Sequence, residues 1–149
     1  MPMIVHNVKI GDRTSQQVSD RDHKKIYVGS AESDIRYRDI LVNGRHRWEL
    51  YSKPTIDFLT LDRQGMELAQ YKPIFERAIK EVDGVMIIVS AQTLKDPLAL
   101  WEIECSLSNN IPIVGVDVRQ KPEGIIPASL EGKMTKYGWE WFAEFFNGL

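Results

Sequence analysis

The sequence predicts an α/β domain, a three-layer sandwich built on a mainly parallel central sheet. Short apolar runs alternate with helical stretches in regular order from Lys25 onward. One run, Val85-Met-Ile-Ile-Val89, is apolar throughout, the pattern of a central strand covered on both faces. Strand and helix in strict alternation imply right-handed crossovers, which lay helices on both sides of the sheet.

The first 24 residues read as an arm outside the domain proper, which spans 25–149. Met3 to Ile10 has room for one short strand, and Gly11 to Lys24 is polar, a linker by composition. Ile26-Tyr-Val-Gly29 is then a strand that exits into the polar loop Ser30-Ala-Glu-Ser-Asp34. A helix is expected from Asp34 to about Arg45, with Ile35, Ile40, Leu41 and Val42 apolar. Ile56 to Leu61 is the next strand, closed by Asp62-Arg-Gln-Gly65. Tyr71, Ile74, Phe75, Ala78, Ile79 and Val82 recur at helical spacing as one apolar stripe, ended by Asp83-Gly84. After the Val85–Val89 strand, Ser90 to Asp96 is an exit loop. Asp96 and Pro97 start a helix, an acidic cap followed by proline at the first helical position, and Asn109-Asn110 stops it. Ile111 to Val118 is a further strand and Met134 to Tyr137 an edge strand. Trp141, Phe142, Phe145 and Phe146 give the last helix an aromatic face.

Composition narrows the function classes. The 149 residues are 43% hydrophobic and 27% charged, and 19 basic against 21 acidic residues leave a net charge of −2. That balance gives no general electrostatic case for nucleic acid or an anionic membrane. Arg36, Arg38, Arg45 and Arg47 form a local exception that reads as a charged, solvated helix face. Cys105 is the single cysteine and reads as a small buried apolar residue; the three histidines lie far apart, so no metal site is expected. The N-terminus lacks the apolar run of a signal peptide, and no stretch approaches the ~20 apolar residues of a membrane span. A cytoplasmic location is the expectation.

Parallel sheets of this kind bind ligands beyond the carboxyl ends of their strands. Four loops meet there: Ser30–Asp34, Asp62–Gly65, Ser90–Asp96 and the turn after Asp117. The helix starting at Pro97 feeds the same end. Advancing about 100° per residue from Leu98 gathers Leu100, Ile103 and Leu107 into an expected sheet-facing stripe. Leu98, Trp101 and Cys105 gather on roughly the opposite side; Glu102 borders that second cluster and Glu104 sits between the two. A surface helix needs one apolar face, so the second is expected to meet a pocket or a partner. A glutamate beside a tryptophan in a half-buried pocket is a credible catalytic carboxylate, because desolvation raises its pKa. Glu102 and Glu104 also read plainly as solvated acids near the positive end of the helix dipole. Spacing does not choose between them.

The run Ala78 to Leu94, then Leu98-Ala-Leu-Trp-Glu-Ile-Glu, then Ile111-Pro-Ile-Val-Gly-Val resembles the centre of bacterial Toll/interleukin-1 receptor (TIR) domains. It is similar to those of Thoeris anti-phage defence systems. In that family, which is flavodoxin-like in fold, a strand ends in Ser-x-x-Thr and a helix follows carrying Trp-x-x-x-Glu-Ile. The match to Glu102-Ile103 implies that Glu102 is the catalytic residue of an NAD-cleaving enzyme, with NAD a substrate and no cofactor. The family's tryptophan stands here as Leu98, and Trp101 precedes the glutamate. The resemblance further implies a nucleotide pocket along Gly29, Ser30 and Ala31. It implies a gating loop starting at Asp62 and Arg63 that also contacts neighbouring subunits of a homo-oligomer. Arg63 would meet a phosphate bidentately, Ser90 a ribose, and Leu98 and Trp101 would wall the site. A cyclic ADP-ribose product read by a downstream effector is the corresponding expectation. Two other readings stay open: a nucleoside 2-deoxyribosyltransferase-like enzyme, and a TIR scaffold without catalysis. Phosphate loops of the GxGxxG or GxxxxGK[ST] type are absent. A phosphorelay receiver needs acids ending the first strand and an aspartate ending the third, which Ile26–Gly29 and Val85–Ser90 do not supply.

Overall fold

A computed structural model of the chain describes residues 5–9, 23–44, 53–63, 65–119 and 125–149. Its elements are β1 (Val5–Lys9), β2 (His23–Gly29), α1 (Ile35–Asn43), β3 (Thr55–Leu61), α2 (Leu68–Ile79), β4 (Gly84–Val89), α3 (Pro97–Ser108), β5 (Ile113–Asp117), β6 (Met134–Lys136) and α4 (Trp139–Asn147). The strands form one sheet in the order β1-β3-β2-β4-β5-β6. β2 through β6 are parallel, and β1 adds an antiparallel edge, with Val5 opposite Leu61 and Lys9 opposite Asp57. Counted from β2, the parallel strands run 2-1-3-4-5, the flavodoxin-like order. The chain steps outward from β2 to β3 and then returns to β4, so the crevice between β2 and β4 is the topological switch point.

Side-chain alternation along the strands sorts the core into two layers. Ile26, Val28, Phe58, Met86 and Ile88 pack with Leu41 of α1 and Phe142 and Phe146 of α4. Tyr27, Leu59, Ile87 and Val89 point the other way, onto Tyr71, Phe75 and Ile79 of α2 and Leu98, Ile103 and Cys105 of α3. Burying each such aromatic or aliphatic side chain contributes about 1.5–3 kcal/mol, so the two layers hold the helices against the sheet from both sides.

Several boundaries differ from the sequence reading for local reasons. β2 begins at His23, two residues before the expected domain start, because β3 offers a parallel partner from Thr55 onward. Residues 10–22, the rest of the supposed linker, lie outside the described residues, as do Arg45 and Arg47. α2 starts at Leu68, three residues before the apolar stripe, because Glu67 and Gln70 cap each other's backbone N–H groups in a reciprocal box. The aromatic face of α4 divides: Phe142 and Phe146 are buried, while Trp141 is 41% exposed beneath the Lys136 ammonium. Arg36 is exposed, but Arg38 corrects the solvated-face expectation. It is 6% exposed, donates to the Leu61 carbonyl at 3.3 Å and pairs with Asp39 at 3.0 Å and Asp62 at 3.5 Å. Among the described residues no helix is long and apolar enough to cross a membrane.

Candidate functional site

The helix wheel of α3 is corrected by its packing. Its buried residues are Leu98, Ala99, Glu102, Ile103, Cys105 and Ser106, whereas Leu100 and Leu107 are half-buried. The inward face is therefore centred on Ala99, Glu102, Ile103 and Ser106, at i, i+3, i+4 and i+7. Counting only large apolar residues misses it, because alanine and serine are the side chains that let a helix approach a sheet closely. The second apolar side meets α2: the Trp101 ring packs edge-on to Phe75 at 5.3 Å, with the Lys72 ammonium over its face.

Glu102 is thus carried into the core at the carboxyl end of β2, and is 1% exposed. Its Oε2 accepts hydrogen bonds from Tyr27 Oη at 2.6 Å and Tyr71 Oη at 2.5 Å. The two phenol oxygens lie 3.2 Å apart. Oε1 is buried with no hydrogen-bond partner among the described residues. It faces Gly29, where a Cβ would lie 2.8 Å from Oε1 and 2.8 Å from the Tyr27 ring. Glycine at that strand end is what makes room for the carboxylate.

Burial pushes the Glu102 carboxyl up to about 7, against the two phenol donors and the Arg63 charge, which favour the carboxylate. Burial, reinforced by the Glu102 charge, in turn raises both Tyr27 and Tyr71 above the ordinary phenol range. A buried acid that titrates near neutrality and keeps one oxygen without a partner is costly to maintain, and such groups concentrate at functional sites. Glu104, the alternative left open by spacing, is exposed.

Arg63, leaving β3, is the cation nearest in influence. Its Nη1 donates to both Asp96 oxygens at 3.0 and 2.8 Å, and its Nη2 donates to the Ser30 carbonyl at 2.9 Å. Asp96 also caps α3, accepting from the Leu98 and Ala99 N–H groups at 3.0 Å, and accepts from Glu32 N at 2.8 Å. Burial works against the Asp96 carboxylate, yet these donors hold its pKa below the usual range. Burial also opposes the Arg63 charge, and the Asp96 contact overrides it to raise that pKa. A groove of about 320 Å³ opens beside this pair, lined by Glu32, Arg63, Gly65, Met66, Leu68, Asp96, Pro97 and Leu98. Glu102 does not line it.

The remaining expected residues divide between this end of the sheet and elsewhere. Gly29 touches the carboxylate, Ser30 and Arg63 meet directly, and Leu98 forms a groove wall. Ala31 is buried, and its carbonyl accepts from Ser30 Oγ at 2.8 Å. Ser90 Oγ donates to the buried Asp34 carboxylate, and Ser90 N donates to Thr93 Oγ1 at 2.9 Å, so the two polar side chains tie the switch-point loops together. Asp62 faces Arg38 in a separate cavity of about 360 Å³, away from Glu102. Trp101 is turned onto α2 and is not among the groove residues. The sequence reading missed Tyr27 and Tyr71, counting them as a strand residue and a member of an apolar stripe. Each phenol hydroxyl needs a partner when buried, and that requirement was the available signal. Among the described residues no group of three or more His, Cys, Asp or Glu side chains could hold a metal.

No protein-family model matches this chain, and comparison with curated proteins finds no match.

Proposed function

We propose that the protein is a TIR-type enzyme that cleaves the nicotinamide–ribose bond of NAD, with Glu102 as its reacting carboxylate. The observation that carries this reading is the buried Glu102 side chain, held by two phenols, with one oxygen lacking a partner at the carboxyl end of a flavodoxin-like sheet. The motif resemblance singles out the same glutamate. In the reaction the C1′–N bond breaks, its electron pair leaves on the nicotinamide nitrogen, and positive charge develops on the ribosyl ring. An ionised Glu102 stabilises that charge in a water-poor site, where a fixed anion acts most strongly. Water, or the adenine or ribose end of the same molecule, then takes the ribosyl centre, giving ADP-ribose or a cyclic ADP-ribose product.

Glu102 is 1% exposed, so substrate reaches it only when the side chains around the carboxylate shift. Arg63 spends its donors on Asp96 and Ser30, and the NAD diphosphate would compete with Asp96 for that guanidinium. The loop near Arg63 is the surface through which a homo-oligomer would form under this reading.

The test is incubation with NAD followed by mass analysis of the products. Release of nicotinamide from wild type, lost in Glu102→Gln, is the expected result. Turnover of free nucleosides with NAD inert would transfer Glu102 to a deoxyribosyltransferase-like reaction. Because the ionised form acts, kcat/KM should rise with pH and level off above about 7. A rate that is flat from pH 5 to about 8 would remove Glu102 from that role.

A further inference from the structure

We infer that Tyr27 and Tyr71 are positioning residues that occupy Oε2 of Glu102 and so make Oε1, on the Gly29 side, the oxygen that meets substrate. The inference deepens the reading of Glu102 as the reacting carboxylate and rests on it.

The two donors arrive from different layers. Tyr27 comes from β2 and Tyr71 from α2, and both hydroxyls converge on the same oxygen at 2.6 and 2.5 Å. Two hydrogen bonds saturate the in-plane lone pairs of one carboxylate oxygen. Oε1 therefore keeps the whole remaining acceptor capacity, and no described residue uses it. It lies over the one residue of β2 that presents no side chain, and adding a Cβ there would place carbon 2.8 Å from it. The rings themselves are fixed: Tyr27 packs edge-on to Phe75 at 5.1 Å, and Tyr71 stacks on Phe75 at 6.1 Å. The phenols thus set the rotation of the carboxylate plane as well as its free oxygen.

The arrangement also has a place for the proton of the neutral acid. On Oε1 that proton would be a buried donor without an acceptor. On Oε2 it can be donated to one phenol, which turns its own hydrogen across the 3.2 Å gap to the second phenol, which still donates to Glu102. The closed ring of three hydrogen bonds keeps the proton on Oε2 and leaves Oε1 open in both states. On ionisation the hydrogen-bond pattern changes only in that the first phenol's hydroxyl turns back to Oε2. The other charged or titratable groups acting on this cluster are Arg63 after β3 and Asp96 at the start of α3, with the Cys105 thiol farther along the same helix.

The experiment labels the glutamate side-chain carboxyls with carbon-13 and follows the Glu102 signal, assigned by its loss in Glu102→Gln, through a pH titration. Tyr27→Phe and Tyr71→Phe each keep the ring and remove one donor, and Ile79→Val trims the same core layer while leaving the Phe75 ring that holds both phenols. Either tyrosine variant, if folded, should raise the Glu102 midpoint by about one unit, tenfold in proton affinity. Ile79→Val should leave the midpoint in place. The acid limb of NAD cleavage should move by the same amount in the tyrosine variants, with kcat changed more than KM. Midpoints that stay put in the folded tyrosine variants, or move equally in Ile79→Val, would overturn the inference. If wild type cleaves no NAD, the reaction assignment fails while the carboxyl titration still decides the hydrogen-bond arrangement. Gly29→Ala tests the choice of oxygen: blocked cleavage with a retained Glu102 titration supports Oε1, and undiminished cleavage refutes it.

Discussion

The first turn of α3 and its second present two carboxylates six residues apart that live in opposite conditions. Asp96, at the cap, collects three backbone N–H groups and one arginine nitrogen shared by its two oxygens, and its charge is stabilised below the usual range. Glu102, in the interior, receives two phenol hydroxyls on one oxygen and nothing on the other, and burial lifts it to about 7. The difference teaches which acid is structural. Asp96 has every reason to be charged at all physiological pH values, and removing it unties a helix end. Glu102 sits where charge is expensive, and the two buried phenols need an acceptor there but not a charged one.

The largest expected effect breaks the comparison at Glu102. Glu102→Gln should lower NAD cleavage by about a hundred- to a thousandfold, the scale of removing one preorganised electrostatic group, as read by nicotinamide release. The same substitution should not destabilise the fold at neutral pH. Glu102 titrates higher in the folded chain than its ordinary 4.5, so its stability contribution is fully present below pH 4.5 and is lost as pH rises through 7. The lost amount is on the order of 3 kcal/mol. Chemical denaturation of wild type and Glu102→Gln across pH 5 to about 8 checks the sign: the wild type should lose ground relative to the variant as pH rises. A constant difference would mean that Glu102 ionises as easily folded as unfolded.

Asp96→Ala should do the reverse, costing about 1–2 kcal/mol through the lost cap and freeing Arg63 from its carboxylate partner, measured as a lower Tm. Its pH sign is also opposite. A folded-state pKa below 3.8 contributes stability above that pH and loses it in acid, so the variant should lose less stability than wild type on acidification. Leu98→Trp enlarges a side chain that is buried in the α2–α3 layer and only borders the groove, so it should cost about 1 kcal/mol of stability, read as a small drop in Tm. Under the TIR reading it restores the family's aromatic residue and should raise turnover or tighten NAD binding. A clear drop in Tm without a gain in turnover would show that the groove wall has no room. The smallest effect belongs to the exposed Glu104, where Glu104→Gln should fall within about 0.5 kcal/mol of wild type and leave cleavage unchanged.

The sequence by itself determined the layer architecture. Runs such as Val85–Val89 and the stripe through Tyr71, Phe75 and Ile79 are local patterns, and each became the element it specified. Asp96-Pro97 and Asn109 bounded α3 at the expected residues for the same reason, since caps act on backbone groups within a turn. Glu102 was legible as a candidate from its motif, though periodicity alone left it level with Glu104. Only tertiary structure placed Glu102 inward, because that depended on Ala99 and Ser106 being small enough for α3 to lie close to the sheet. Only tertiary structure brought Tyr27 and Tyr71 together on one oxygen, from positions 75 and 31 residues away along the chain. It likewise gave Arg63 to Asp96, Asp62 to Arg38 and Trp101 to α2. Periodicity reports which face of an element is apolar; the partner that a polar group finds on that face is set by crossovers between strands, which no local pattern records.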